Sequence, residues 1–164
     1  MESRHALAAA VLALAAASAA VLVGPYVPAT LSASGTQEPA RGVVSDGERT
    51  LGTVTARVAD SRDERVRGLG ETDSLGPDEG MVFVYRGEAT RTFWMKSVEF
   101  GLDIVFVGAN GTITAVHHAA APPPDTPDDE LRRYSGRARW VLEVRAGWTS
   151  RHDVSVGDSV AVED

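Results

Sequence analysis

The chain of 164 residues contains no cysteine, which excludes a disulfide scaffold, a thiol nucleophile and any thiolate metal site. It has almost no lysine: 15 of its 16 basic residues are arginine, and Lys96 stands alone. There is no block of basic residues, and 23 acidic residues give a formal net charge of −7. That balance argues against nucleic acid as the main partner. Gly68 and Gly70 are not followed by G-x-G-x-x-G or Walker spacing, so no phosphate loop is read there. No cofactor is expected. The length suits one domain with appendages.

The charge is uneven. Residues 51–164 carry 19 acids and 13 bases, against four and three in residues 1–50. Such a surface fits adaptation to high salt, where screening tolerates many like charges. The replacement of lysine by arginine fits that reading and a GC-rich codon bias equally.

Ala6 to Val23 is an 18-residue run in which Ser18 is the only polar side chain. As a helix it rises roughly 27 Å, close to the ~30 Å of a hydrocarbon core. Residues 1–23 therefore read as a transmembrane anchor, with residues 6–23 in the membrane and the domain outside the cytoplasm. Ala17-Ser18-Ala19 also has the small-x-small form of a cleavage site, which leaves a secreted product as the alternative. No cysteine follows the run, so a lipid anchor is excluded. Residues 24–50, with Pro25, Pro28, Pro39 and four glycines, read as a flexible tether.

The domain is expected over residues 51–164. Val54, Ala56 and Val58 alternate with Thr55 and Arg57, as in a half-buried strand. Ser61 and Glu64 have capping-box spacing and open a short helix that Gly68 ends. Met81–Tyr85, Thr92–Lys96, Leu102–Val107 and Thr112–Val116 read as strands, the last two joined by a hairpin through Asn110-Gly111. A helical turn is expected over Asp128–Tyr134 after the prolines at 122–124 and 127. A strand follows at Trp140–Arg145, a helical turn at Ser150–Asp153 and a closing strand at Ser159–Val162. The fold class is mainly β, at the margin of α+β: a small antiparallel sandwich or barrel of about seven strands with one or two short helices.

Several segments follow one another in a specific order: Gly68-Leu69, Gly80-Met81-Val82-Phe83, Phe93-Trp94-Met95-Lys96, Leu102-Asp103-Ile104 with Phe106, Val141-Leu142-Glu143-Val144 with Gly147, and Gly157-Asp158. Over residues 53–162 this resembles the DUF192 family, small domains with no established biochemical activity. The resemblance implies a compact, mainly-β domain behind an N-terminal signal or anchor. One corner departs from the pattern. The family runs Gly-Leu-Met with an arginine soon after, whereas Gly68-Leu69-Gly70-Glu71-Thr72 has neither.

Asp103 and Glu143 each lie in an apolar strand, and a carboxylate buried there needs a partner. The two-residue period turns Asp103 away from Leu102, Ile104 and Phe106, and Glu143 away from Leu142 and Val144. Lys96, in its own apolar strand, is the candidate partner, with Arg91, Arg139 and Arg145 as others. Beside Trp94, a stacking wall or a core residue, these groups form a candidate ligand site. Tyr134 either closes over it or is a plain surface tyrosine. A structural ion pair pinning three strands is the plain alternative.

His117 and His118 are adjacent and point to opposite strand faces, so they cannot chelate one ion together; with His152 they show no ligand spacing, and no metal is expected. Trp140 reads as core. Asn110-Gly111-Thr112 matches a glycosylation acceptor, although the turn explains Asn-Gly equally. Asp128-Asp129-Glu130 reads as a solvated charge run.

Three functions remain. The first is a tethered extracytoplasmic module binding a small polar ligand or a protein partner. The second is an enzyme of hydrolase or lyase type using Lys96, Asp103 and Glu143. The third is a structural module. Binding is favoured over catalysis because no nucleophile–base–orienter set can be assembled.

Overall fold

The computed structural model describes residues 39–163. The anchor or signal reading of residues 1–23 lies outside the described residues, as does most of the segment read as a tether. Among the described residues no helix is long and apolar enough to cross a membrane.

The capping box forms as its spacing requires. The Glu64 amide donates to Ser61 Oγ at 3.2 Å, and the Ser61 amide donates to Glu64 Oε2 at 3.0 Å. This satisfies two of the amides that a helix start leaves unpaired. Helix α1, Arg62–Arg67, ends at Gly68, whose φ of 50° suits a residue without Cβ.

The strands are β1 (Ala40–Ser45), β2 (Thr50–Ala59), β3 (Glu79–Trp94), β4 (Leu102–Val107), β5 (Ile113–Ala119), β6 (Arg133–Arg145) and β7 (Ser159–Glu163); helix α2 is Trp148–Arg151. The fold is mainly β: one seven-stranded sheet ordered β5-β4-β6-β3-β2-β1-β7, curled into a half-barrel. Its two edge strands approach each other at one end. Thr112 bridges Ser159, and the Ile113 amide donates to Asp158 O at 2.8 Å. Neighbours are antiparallel except β2 and β3. Those two run parallel because α1 lies in the connection between them, as parallel strands require a crossover.

The sheet buries both faces. Val54, Val82, Val105, Leu142 and Val144 share one core with Trp140 and with Trp148 of α2. Phe83, Ile104, Phe106 and Val141 share the other with Leu69, Leu75 and Met95 from the loops. The alternation along β4 and β6 therefore feeds two cores, and their central residues are continuously apolar.

Several expectations are corrected. β1 falls within residues 24–50 and pairs with both β2 and β7, so Ala40–Ser45 belongs to the sheet. The strands expected at Met81–Tyr85 and Thr92–Lys96 are one strand, β3, with an irregularity between Val84 and Ala89. Lys96 lies past its end, because pairing with β6 stops at Trp94 and Ser97 turns the chain with a φ of 58°. The expected helical turn at Asp128–Tyr134 is shorter, and Tyr134 already belongs to β6. The second helix starts at Trp148 rather than Ser150.

Candidate functional site

Asp103 and Glu143 stand on adjacent strands, β4 and β6, and do not meet. Asp103 is paired with Val144, and Glu143 with Ile104. Paired residues share a face and successive residues alternate, so the two carboxylates occupy opposite faces of the sheet.

Asp103 is fully buried and fully engaged. Its Oδ2 accepts from the Thr149 amide at 2.9 Å and from Thr149 Oγ1 at 2.7 Å, and His118 Nδ1 lies 2.8 Å from Oδ1. Burial pushes this carboxyl up, but the hydrogen bonds from His118, Thr149 and the Gly147 amide outweigh it and hold the group below its ordinary value. Asp103 thus ties α2 and β5 to the middle of the fold. His118 stays largely exposed on the strand face opposite His117.

Glu143 has no such shell. It is only 4% exposed, and among the described residues no hydrogen bond or neighbouring charge acts on its carboxyl. Burial alone pushes its carboxyl up to about 8, so at neutral pH the group retains its proton. It lies at a cleft of about 480 Å³ that also receives Phe83, Tyr85 and Phe93 from β3, with Trp94, Arg65 and Lys96. Gly68 to Glu71 also line it, the corner where the sequence departs from the pattern it resembles.

Of the expected site residues, Glu143, Lys96 and Trp94 line this cleft, while Asp103 and Tyr134 do not. Lys96 pairs with Asp128 at the surface instead of either expected carboxylate, because its turn carries it beyond the sheet. Asp128 is correspondingly not a merely solvated charge. Trp94 is 41% exposed, with the Arg133 guanidinium carbon 3.9 Å from its ring centroid and Lys96 Nζ at 5.6 Å. Tyr134 is buried in the second core, its ring 5.8 Å from that of His117. It packs rather than closing over the cleft. Asn110 is exposed on the β4–β5 hairpin, where its Oδ1 accepts from the Thr112 amide at 3.1 Å. Among the described residues no cluster of three or more metal-ligating side chains occurs.

The sequence reading passed over Tyr85 and Arg65. Tyr85 lies between two guanidiniums, with Arg91 at 3.9 Å and Arg65 at 5.0 Å from its ring centroid. Desolvation raises its phenol above the ordinary value, Arg91 and Arg65 oppose that, and Glu143 adds to it. Tyr85 therefore links the buried carboxyl to the two cations. Tyr85 and Arg91 share one strand, but the irregularity between Val84 and Ala89 sets how they meet. Strand period alone could not give that.

The geometry can be set beside known proteins. The model of the DUF192 family, described as "Uncharacterized ACR", matches residues 43–162, a span that reaches the second half of β1 beyond the resemblance read at residues 53–162. A solved structure from Sinorhizobium meliloti 1021, carrying the provisional description of a transcription regulator, is 27% identical with a TM-score of 0.66, covering 78% of this chain and 98% of its own. A protein of unknown function from Novosphingobium aromaticivorans DSM 12444 is 28% identical with a TM-score of 0.62, covering 74% of this chain and 83% of its own. No curated protein matches significantly. With most of its length matched by the family model, the chain belongs to the DUF192 family.

Proposed function

We propose that the domain is a binding module that holds a small polar ligand in the cleft over Glu143. The observation that carries this reading is the carboxyl itself, buried at a cleft and without a partner among the described residues. Buried polar groups in folded proteins are nearly always hydrogen-bonded, and one left open marks a place where something else supplies the bond. The aromatic walls would bury the body of a ligand, and Glu143 would orient it. Residues 6–23 would tether the module to a membrane with the domain outside the cytoplasm, as their apolar run suggests. Its acidic balance speaks against nucleic acid as partner, so the regulator description of the S. meliloti protein is not carried over.

Acid–base catalysis is the second reading, favoured by a carboxyl that exchanges its proton near neutral pH. Against it, the cleft hydroxyl of Thr92 bonds Ser135 rather than a base, and Lys96 is engaged by Asp128.

Ligand-observed NMR on the full chain with a library of small polar compounds tests the binding reading. Ligands should bind wild type and lose binding in Glu143→Leu while keeping some in Glu143→Gln. Binding indifferent to both substitutions, or no binding by any compound, contradicts it. Fractionation tests the tether, and a soluble product beginning near Ala20 would oppose retention in the membrane.

A further inference from the structure

We infer that the cleft selects a small monocarboxylate, whose carboxylate shares the Glu143 proton and is held by the charge of Arg65 and Arg91, with its apolar body against Phe93 and Trp94. This rests on the binding reading above and names the chemistry of the ligand.

The first support is the uncompensated charge around Tyr85. Arg65 Nη1 donates only to main-chain oxygens, those of Asp60 and of Val84 at 3.0 Å. Arg91 Nη2 donates to Gly87 O at 2.7 Å, and Arg91 Nε is buried without a hydrogen-bond partner. Neither guanidinium has an ion-pair partner among the described residues. Arg65 lines the cleft and Arg91 stands against its Tyr85 wall, and two guanidiniums there without counter-charge favour an anion. In a chain with a net charge of −7 this local excess is not a consequence of composition.

The second support is the state of Glu143. An ionised carboxylate would repel an anion, and a neutral acid donates a hydrogen bond to one. The charged and titratable groups lining the cleft are Tyr85 from β3, Arg65 and Arg67 from α1, Glu71 after it, and Lys96, with Arg91 behind them, 3.9 Å from the Tyr85 ring centroid. Arg67 lies 3.6 Å from Glu71, and Lys96 pairs with Asp128, so Arg65 and Arg91 are the uncommitted cations. From β4 the paired residue is Ile104, which adds no charge.

The third support is the wall. A cationic ligand would compete with guanidiniums already on the aromatic faces, since Arg133 covers Trp94 and Arg65 and Arg91 cover Tyr85. A carboxylate with a flat or short apolar body instead adds the missing charge and uses the remaining edges of Phe93 and Trp94.

The test is calorimetric titration of the full chain with acetate, benzoate and 3-phenylpropionate, with benzamide as the neutral counterpart of benzoate and inorganic phosphate as a second anion. Benzoate should bind more tightly than benzamide and phosphate. Its affinity should fall about tenfold per pH unit once Glu143 is ionised in the free protein. Glu143→Gln should bind benzoate with that pH dependence removed, and Arg91→Met should weaken benzoate at least about tenfold while leaving benzamide unchanged. Benzamide binding that depends on Glu143, with no carboxylate binding below roughly 10 mM, overturns the monocarboxylate and leaves the binding reading standing. No binding by any of the five compounds overturns the monocarboxylate, and the library screen then decides the broader reading. Tighter phosphate than benzoate also overturns it.

Discussion

Glu143 and Asp103 are neighbours across one pair of strands, yet one faces a cleft with no partner among the described residues and the other faces a core with every oxygen engaged. The same residue chemistry in similarly apolar strands thus has two protonation states. Asp103 is ionised because its hydrogen bonds outweigh burial, and Glu143 is neutral because nothing opposes burial.

Asp103→Asn removes the charge that Thr149 and His118 hold while keeping the side-chain shape. It should lower stability by about 2–4 kcal/mol, since the amide keeps one acceptor oxygen and sets its NH2 against the donors that the other carboxylate oxygen served. Urea unfolding at pH 7 should show a lower midpoint with an unchanged slope.

The two groups predict opposite pH dependences. Asp103 has a lowered value, so its stabilisation is complete above its unfolded value of about 3.8 and is lost as pH falls through its lower folded value. Glu143 has a raised value, so its contribution is complete below its unfolded value of about 4.5 and is lost as pH rises through about 8. The wild type should therefore lose stability from mildly acidic to alkaline pH, on the order of a few kcal/mol. Glu143→Gln should flatten that limb and leave the acid limb intact. Thermal unfolding from about pH 2 to about 9 reads both.

Lys96→Met should alter stability by less than ~1 kcal/mol, because its partner Asp128 and Lys96 itself are both about half exposed. Chemical denaturation checks this. A loss of several kcal/mol would restore the structural ion pair that the turn at Ser97 rules out.

Gly136→Ala should be costly. A Cβ at Gly136 would stand 2.5 Å from Phe106 Cγ and 2.9 Å from Phe106 Cβ. Relief requires moving a fully buried ring that also meets Phe93 edge-on at 5.9 Å. A loss of about 1–3 kcal/mol is expected in the same denaturation experiment.

Much of the fold was legible because its signals are local. The capping box at Ser61 and Glu64 gave α1, alternation gave β2, and Asn110-Gly111 gave the β4–β5 hairpin. The misses are non-local. Ala40–Ser45 has too little pattern in six residues to stand out, and it is a strand because β2 and β7 flank it. The segment between Tyr85 and Thr92 lacks a β-prone run, so β3 read as two strands, whereas its pairing with β6 runs on to Trp94.

The site was legible in part for the same reason. Period two gives the face of Asp103 relative to Leu102, but not the register that sets Glu143 opposite Ile104. That register separates the carboxylates, and the turn at Ser97 separates Lys96 from Asp103. Tyr85 and Arg65 come together only through the crossover that lays α1 beside β3.

The most direct measurement is a pH titration of the Glu143 side-chain carboxyl by carbon-13 NMR in the full chain, assigned with Glu143→Gln. A carboxyl buried at the cleft without a partner predicts a midpoint near 8. A midpoint near the ordinary 4.5 would mean that the carboxyl is solvated or already paired, and the basis for a ligand at this position would be lost.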